Sequence, residues 1–169
     1  MKPLMKEING LKPQLGENCY ISENATIIGD VKCGKNCSFW FNSVTRGDVH
    51  YITMGDEVNV QDGAVIHCTY KKSPTVIGNK VTIGHNAIVH GCTIKDRVLI
   101  GMGSVVLDDC IIESDSIIAA GAVVTMGTHV KSGEIYAGVP AKKVKEGDFK
   151  NQLEDLAAKY VEYSAWYNS

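Results

Sequence analysis

The segment IKDRVLIGMGSVVLDDCIIESDSIIAAGAVVTMGTHV, residues 94–130, repeats every six positions. Ile94, Ile100, Val106, Ile112, Ile118, Val124 and Val130 form one aliphatic column, which Tyr136 ends. Four residues after each member comes a second column, Val98, Ser104, Cys110, Ser116, Ala122 and Thr128, all small or β-branched. A period of six fits neither a helix at about 3.6 nor a half-buried strand at about 2, but it suits short strands joined by tight corners in a parallel coil. The aliphatic column then points inward, and rungs stack at ~4.8 Å so that each side chain rests on the one below.

The register continues upstream through Met54, Val60 and Ile66 and again through Ile77 and Ile83, with Val58, Ala64, Val81 and Ala87 in the small column. Three hexads make one triangular turn. Two intervals break the step, because eleven residues separate Ile66 from Ile77 and eleven separate Ile83 from Ile94. The first contains YKKSPT, residues 70–75, whose Lys, Ser and Pro suit a loop, so it reads as one hexad plus a short excursion. The second reads as a one-residue contraction at a corner. The pattern predicts an all-β coil over residues 1–145. Residues 146–169 read as a C-terminal α-helix packed on the coil: from Asp148 on, Leu153, Leu156, Ala157, Tyr160, Val161 and Ser164 fall at helical spacing, with Lys150, Glu154, Asp155, Lys159 and Glu162 mostly on the other side. A cover for the coil's outer face or open end is the expected role of that helix, since bare strand edges invite aggregation.

At 169 residues and a net charge of −2, the chain offers no basic stripe for nucleic acid and no polybasic patch for a membrane. No apolar run approaches ~18 residues, and MKPLMKEINGLKPQL lacks the hydrophobic core of a signal peptide, so a cytoplasmic location is expected. Among the six cysteines there is no Cys-x-x-Cys pair. Cys33, Cys37 and Cys110 read as small packing residues. Cys68 and Cys92 stand one and two residues from histidines, where ligation is conceivable but a wall role is preferred.

The histidines carry the chemistry. If the excursion after Ile66 is set aside, Ile66 and Val89 begin equivalent hexads on successive rungs of one face, so His67 and His90 share one outward position about one strand spacing apart. A zinc ion at ~2.0–2.1 Å from each nitrogen can bridge two such rings. His85 belongs to the preceding hexad on the adjoining face and is turned away from that pair. A neighbouring copy presenting its own His85 across a three-fold interface completes the set. Three histidines leave one tetrahedral position open, as in catalytic zinc sites.

Arg46-Gly47-Asp48, Gln61-Asp62-Gly63, His67, and His85 with His90 in GHNAIVHGC resemble the gamma-class carbonic anhydrase family over residues 19–143. The resemblance implies a left-handed parallel β-helix, a homotrimer, and zinc, or iron or cobalt, at each subunit interface. It makes His67, His85 and His90 the metal ligands. Arg46 and Asp48 match the pair that ties subunits together and borders the anion site; a purely structural salt bridge is the competing reading. Gln61 and Asp62 match residues that orient the water on the metal. Tyr136, in YAGVPAKK, is expected to line the pocket at the end of the coil. The implied reaction is attack of a metal-activated hydroxide on carbon dioxide to give bicarbonate. The family's prototype carries a glutamate after Arg-Gly-Asp and acidic residues near the first histidine. Here Val49 follows Asp48 and the loop reads CTYKKSPT, so neither carboxylate proton shuttle is present. His50 and Tyr70 are the nearest substitutes, but each reads better as a solvated surface residue. Two rival functions remain. One is acyl transfer or thioester hydrolysis on coenzyme A thioesters, the former with a histidine as general base. The other is a non-catalytic trimeric scaffold.

Overall fold

The computed structural model describes residues 2–167, so Met1 of the predicted coil and residues 168–169 of the predicted helical segment lie outside the described residues. The chain winds into a left-handed parallel β-helix built from short strands. From Thr93 to Val130 every strand is two residues long. The strands gather into an eleven-stranded and an eight-stranded sheet. One face of the triangular coil stacks Ile21, Phe39, Val60, Ile83, Ile100 and Ile118. A second stacks Thr45, Ile66, Val89, Val106 and Val124, and a third Met54, Ile77, Ile94, Ile112 and Val130. The aliphatic members of these columns form one continuous core, all of them buried except Ile21, which is partly buried at its edge.

The corners explain the small column. The residue before each small side chain takes a left-handed backbone, as at Asn86 (φ 56°), Gly103 (φ 64°), Asp115 (φ 63°) and Gly121 (φ 68°). Type II corners need a positive φ at their third residue, which Gly, Asn and Asp supply most readily. Ser104 N–H donates to Gly101 O at 3.1 Å and Ala122 N–H to Ala119 O at 3.2 Å, which closes two such turns. Both intervals that break the hexad are resolved as expected: Met54 faces Ile77 across the excursion, and Ile77 faces Ile94 across the contraction.

Two features depart from simple winding. The strand Val44–Met54 is eleven residues long; its first residues pair with Val65–Ile66 and its last with Thr75–Ile77, so it bends round a corner and joins two faces into one sheet. At the far end the chain does not stop at Tyr136. Glu134–Ala137 completes the parallel stack and then pairs antiparallel with Lys142–Glu146, because Gly138 and Pro140 reverse the chain and a proline has no N–H for a further parallel rung. The helix Lys150–Ala165 follows, burying Leu153, Ala157 and Ser164 along the coil's outside. Glu154 ties it to Lys80 at 3.6 Å, and Tyr160 packs edge-on against Trp40 at 5.6 Å. Among the described residues no helix is long and apolar enough to cross a membrane.

Candidate metal centre

His67 and His90 end the strands Val65–His67 and Ile88–His90, whose register sets Ile66 opposite Val89 and His67 opposite His90. Ile66 and Val89 are fully buried, and strand alternation turns the next residue outward. The two imidazoles therefore stand side by side, their centroids 5.1 Å apart and His67 Nδ1 only 3.1 Å from His90 Nε2.

Each ring is held from behind by a carboxylate. His67 Nε2 lies 3.1 Å from Asp48 Oδ1, and His90 Nδ1 lies 2.5 Å from Asp108 Oδ1. Burial pushes the Asp48 carboxyl upward, but hydrogen bonds from Arg46 and His67 outweigh it and hold Asp48 below its ordinary range. Asp108 follows the same logic: burial opposes, while bonds from Thr69 and His90 hold it down. Ionised carboxylates accept hydrogen bonds, so Nε2 of His67 and Nδ1 of His90 carry the ring protons. That leaves two acceptor nitrogens, His67 Nδ1 and His90 Nε2, facing one another with no hydrogen between them. Either an added proton or a cation must sit there. Burial depresses the His67 pKa, which disfavours the proton.

A tetrahedral cation at ~2.0–2.1 Å separates its nitrogen ligands by roughly 3.3 Å, close to the 3.1 Å observed. Carboxylate-backed neutral imidazoles are also the usual environment of metal-ligating histidine. The donor set fits a borderline cation such as zinc, iron or cobalt.

His85 stands elsewhere. Its Nδ1 lies 2.9 Å from Asp62 Oδ2, beside a cavity of about 260 Å³ walled by Trp40, Phe41, Tyr160 and Tyr163. It does not join His67 and His90 within one chain. Gln61 is buried, donating from Nε2 to Asn59 Oδ1 at 3.0 Å. Arg46 donates to Asp48 Oδ2 at 2.7 Å within the same chain, and that pair borders His67. Tyr136 is not brought to the histidines: in its sheet it lies three strands beyond Thr82–Ile83, roughly 14 Å along the coil at the usual spacing. Its ring packs against the last rung of the core instead. His50 accepts from Tyr51 N–H at 2.9 Å, and Tyr70 is exposed.

Asp108 and Thr69 are site residues that the reading of the sequence passes over. Asp108 follows His90 by eighteen residues, but the contraction shortens this rung to seventeen, Val89 facing Val106, so Asp108 stands one place past the position over His90 and reaches back to its Nδ1. Thr69 opens the excursion and donates its hydroxyl to Asp108 Oδ2 at 2.5 Å. A second omission is a group of three thiols, Cys19, Cys33 and Cys37, with all sulfurs within 4.8 Å of one another. Cys19 and Cys37 are also eighteen apart.

The coil and its repeat define a hexapeptide-repeat protein, and residues 74–107 and 91–125 match the family model for the bacterial transferase hexapeptide (six repeats). Gamma carbonic anhydrase 2, mitochondrial, of Arabidopsis thaliana is 38% identical over 158 residues, which is 90% of this chain and 55% of the plant protein. The chain thus spans little more than half the length of that relative. The carbonic anhydrase of Geobacillus kaustophilus is 36% identical over 162 residues, covering 95% of this chain and 88% of its own. The crystal structure of a hexapeptide transferase family protein from Anaplasma phagocytophilum superposes with a TM-score of 0.93 at 41% identity, covering 99% of each chain. With these relatives, the chain belongs to the gamma-class carbonic anhydrase family.

Proposed function

We propose that three copies of this chain close about a three-fold axis and hydrate carbon dioxide reversibly at a cation held between subunits, zinc first and iron or cobalt as alternatives. The observation that carries this reading is the pair of facing acceptor nitrogens on His67 and His90, each backed by a carboxylate. His85, on the adjoining face, is the third ligand and comes from a neighbouring copy. When bound, the cation supplies Lewis acidity that lowers the pKa of a water to around 7, making hydroxide available at neutral pH.

The chain's own groups set the rest. Asp48, Asp108 and Asp62 each accept from one ring nitrogen of His67, His90 and His85, which fixes the tautomers and leaves the opposite nitrogen as donor to the cation. Gln61 has its amide N–H on Asn59, so its carbonyl oxygen is free to orient a water. Arg46 is bound to Asp48 by one nitrogen and is part-exposed, which leaves further N–H groups for a bicarbonate oxygen. Val49 stands where a shuttle carboxylate would, so the proton leaves to buffer.

The test is elemental analysis of protein purified without added metal, followed by stopped-flow hydration on the same sample. Stoichiometric metal is expected, with a rate that rises with buffer concentration and vanishes on chelation. Metal-loaded protein inert at every buffer concentration overturns hydration in favour of the scaffold. His85→Ala should empty the interfacial site while circular dichroism shows an intact coil; unchanged metal content in that variant removes the intersubunit assignment.

Acyl transfer has one observation in its favour, a cavity of about 370 Å³ between helix and coil lined by Gly84, Leu99, Gly101, Ala119, Leu156 and Tyr160. It gives a task to one of the three carboxylate-backed histidines, as general base, and none to the other two. Acetyl coenzyme A binding that survives chelation would favour it.

A further inference from the structure

The thiols at the amino-terminal end of the coil converge as no other cysteines among the described residues do. Cys110 donates to Thr125 O at 3.1 Å from the small column, and Cys37 and Cys19 make like bonds to Gly55 O at 3.2 Å and Gly34 O at 3.3 Å, but Cys110 has no sulfur cluster beside it. Cys19 and Cys37 occupy equivalent corners one rung apart, since Tyr20 pairs with Ser38. Cys33 is different. It stands opposite Met54, in a column that otherwise holds Ile77, Ile94, Ile112 and Val130, so a sulfur replaces an aliphatic group at the one rung where two other sulfurs lie alongside.

We propose that Cys19, Cys33 and Cys37 form a second metal site, for a thiophilic d10 cation, Zn2+ or Cu+. A cation about 2.3 Å from three sulfurs sets them roughly 3.8–4.0 Å apart. Cys19 and Cys33 are already 3.8 Å apart and all three sulfurs lie within 4.8 Å, so binding needs only side-chain adjustment. No other three-ligand group of this kind exists among the described residues. Three thiolates and no imidazole or carboxylate select soft ions over magnesium or calcium. An entry path exists: Cys19 borders a cavity of about 450 Å³ with Pro3, Ile21 and Glu23 on its walls, whereas Cys37 is buried behind it. On binding, the ion displaces the thiol protons to solvent. Bound there, it pins three segments that otherwise meet only at the coil's first rungs. This site stands apart from the histidines and does not depend on the hydration reading.

The test uses the full chain, reduced and metal-free, titrated with Co2+ as a spectroscopic stand-in. Histidine-bound cobalt gives no thiolate-to-metal charge transfer; a three-thiolate site gives a strong near-ultraviolet band. That band is expected in the native chain and in Cys110→Ser, and lost in Cys33→Ser and in Cys19→Ser. Should Cys33→Ser not fold, Cys19→Ser, at a partly buried corner, carries the same reading. Competition against chromophoric chelators then separates the ions: whichever of Zn2+ or Cu+ occupies the site, affinity should fall at least tenfold in Cys19→Ser, and the melting temperature of the native chain should rise on loading. Absence of the band in the native chain, its survival in both serine variants, or a Cys19–Cys33 disulfide that resists reduction overturns the proposal.

Discussion

Between Thr93 and Val130 the coil repeats without interruption, two-residue strands alternating with turns. Between Val44 and His90 the same coil carries an eleven-residue strand and an excursion at residues 69–74. The regular part places an aliphatic side chain on every inward position and presents little chemistry outside. The irregular part adds backbone at two corners, and that extra backbone carries Asp48 and Thr69 out toward the outer rings of His67 and His90. Regular winding stabilises the molecule, while departures from it position functional groups. The two parts should therefore respond differently to substitution.

The largest effect is expected in the regular part. Ile100 is fully buried between Ile83 and Ile118, and Ile100→Ala should cost about 2–5 kcal/mol in urea denaturation through lost transfer energy and the cavity left behind. Metal per folded chain should not change. A cost below about 1 kcal/mol, or a stripped metal site, would break the division of labour.

Next comes the contact that crosses between the parts. Asp108 belongs to the regular stack yet backs His90, so Asp108→Asn should lower metal affinity about 10–100-fold while leaving the fold intact. Competition with a chelator measures it. Unchanged affinity would mean that His90 is oriented by its strand alone.

The irregular part should also hold a reserve of unused stability. Thr45 takes an inward position between Ile27 and Ile66, and its buried hydroxyl has no hydrogen-bond partner. Thr45→Val keeps the shape and removes that orphan, so stability should rise by roughly 1–2 kcal/mol. A loss instead would show that the hydroxyl serves a partner in the assembled protein.

Much of this was legible in the sequence because a six-residue period converts spacing into position. The inward columns, the excursion after Ile66 and the pairing of His67 with His90 all follow from counting. The same count, taken eighteen residues on, reaches Cys37 from Cys19, which reads as a packing residue; from His90 the one-residue contraction makes the rung seventeen, so counting lands on Leu107 and misses Asp108 by one place. Asp48 lies beyond such counting. The strand Val44–Met54 bends round its corner with residues that no hexad predicts, so only the coordinates show the Asp48 carboxylate against His67. Tyr136 is the opposite case: the count places it on the last rung, and that rung lies three strands along its sheet from Thr82–Ile83.

The smallest expected effect lies where the regular stack ends. Glu134 is buried there, accepting from Lys131 N–H at 2.8 Å and lying 3.0 Å from Lys143 Nζ on the returning strand. The backbone hydrogen bond from Lys131, with the Lys143 ammonium adding to it, holds the Glu134 carboxyl below its ordinary 4.5. A carboxylate whose pKa is depressed on folding contributes stability that is complete above its unfolded value and is lost as pH falls through the folded one. Glu134→Gln keeps an acceptor for Lys131 but no charge for Lys143. It should cost about 1 kcal/mol near neutrality, and its melting temperature should converge on that of the native chain as the pH falls from 4.5 through the lower folded-state value. A gap of constant size across that range would assign the loss to shape rather than charge. Because the cap lies several rungs from His67 and His90, metal content should be the same in both proteins at every pH, which would confine the effect to the coil's end.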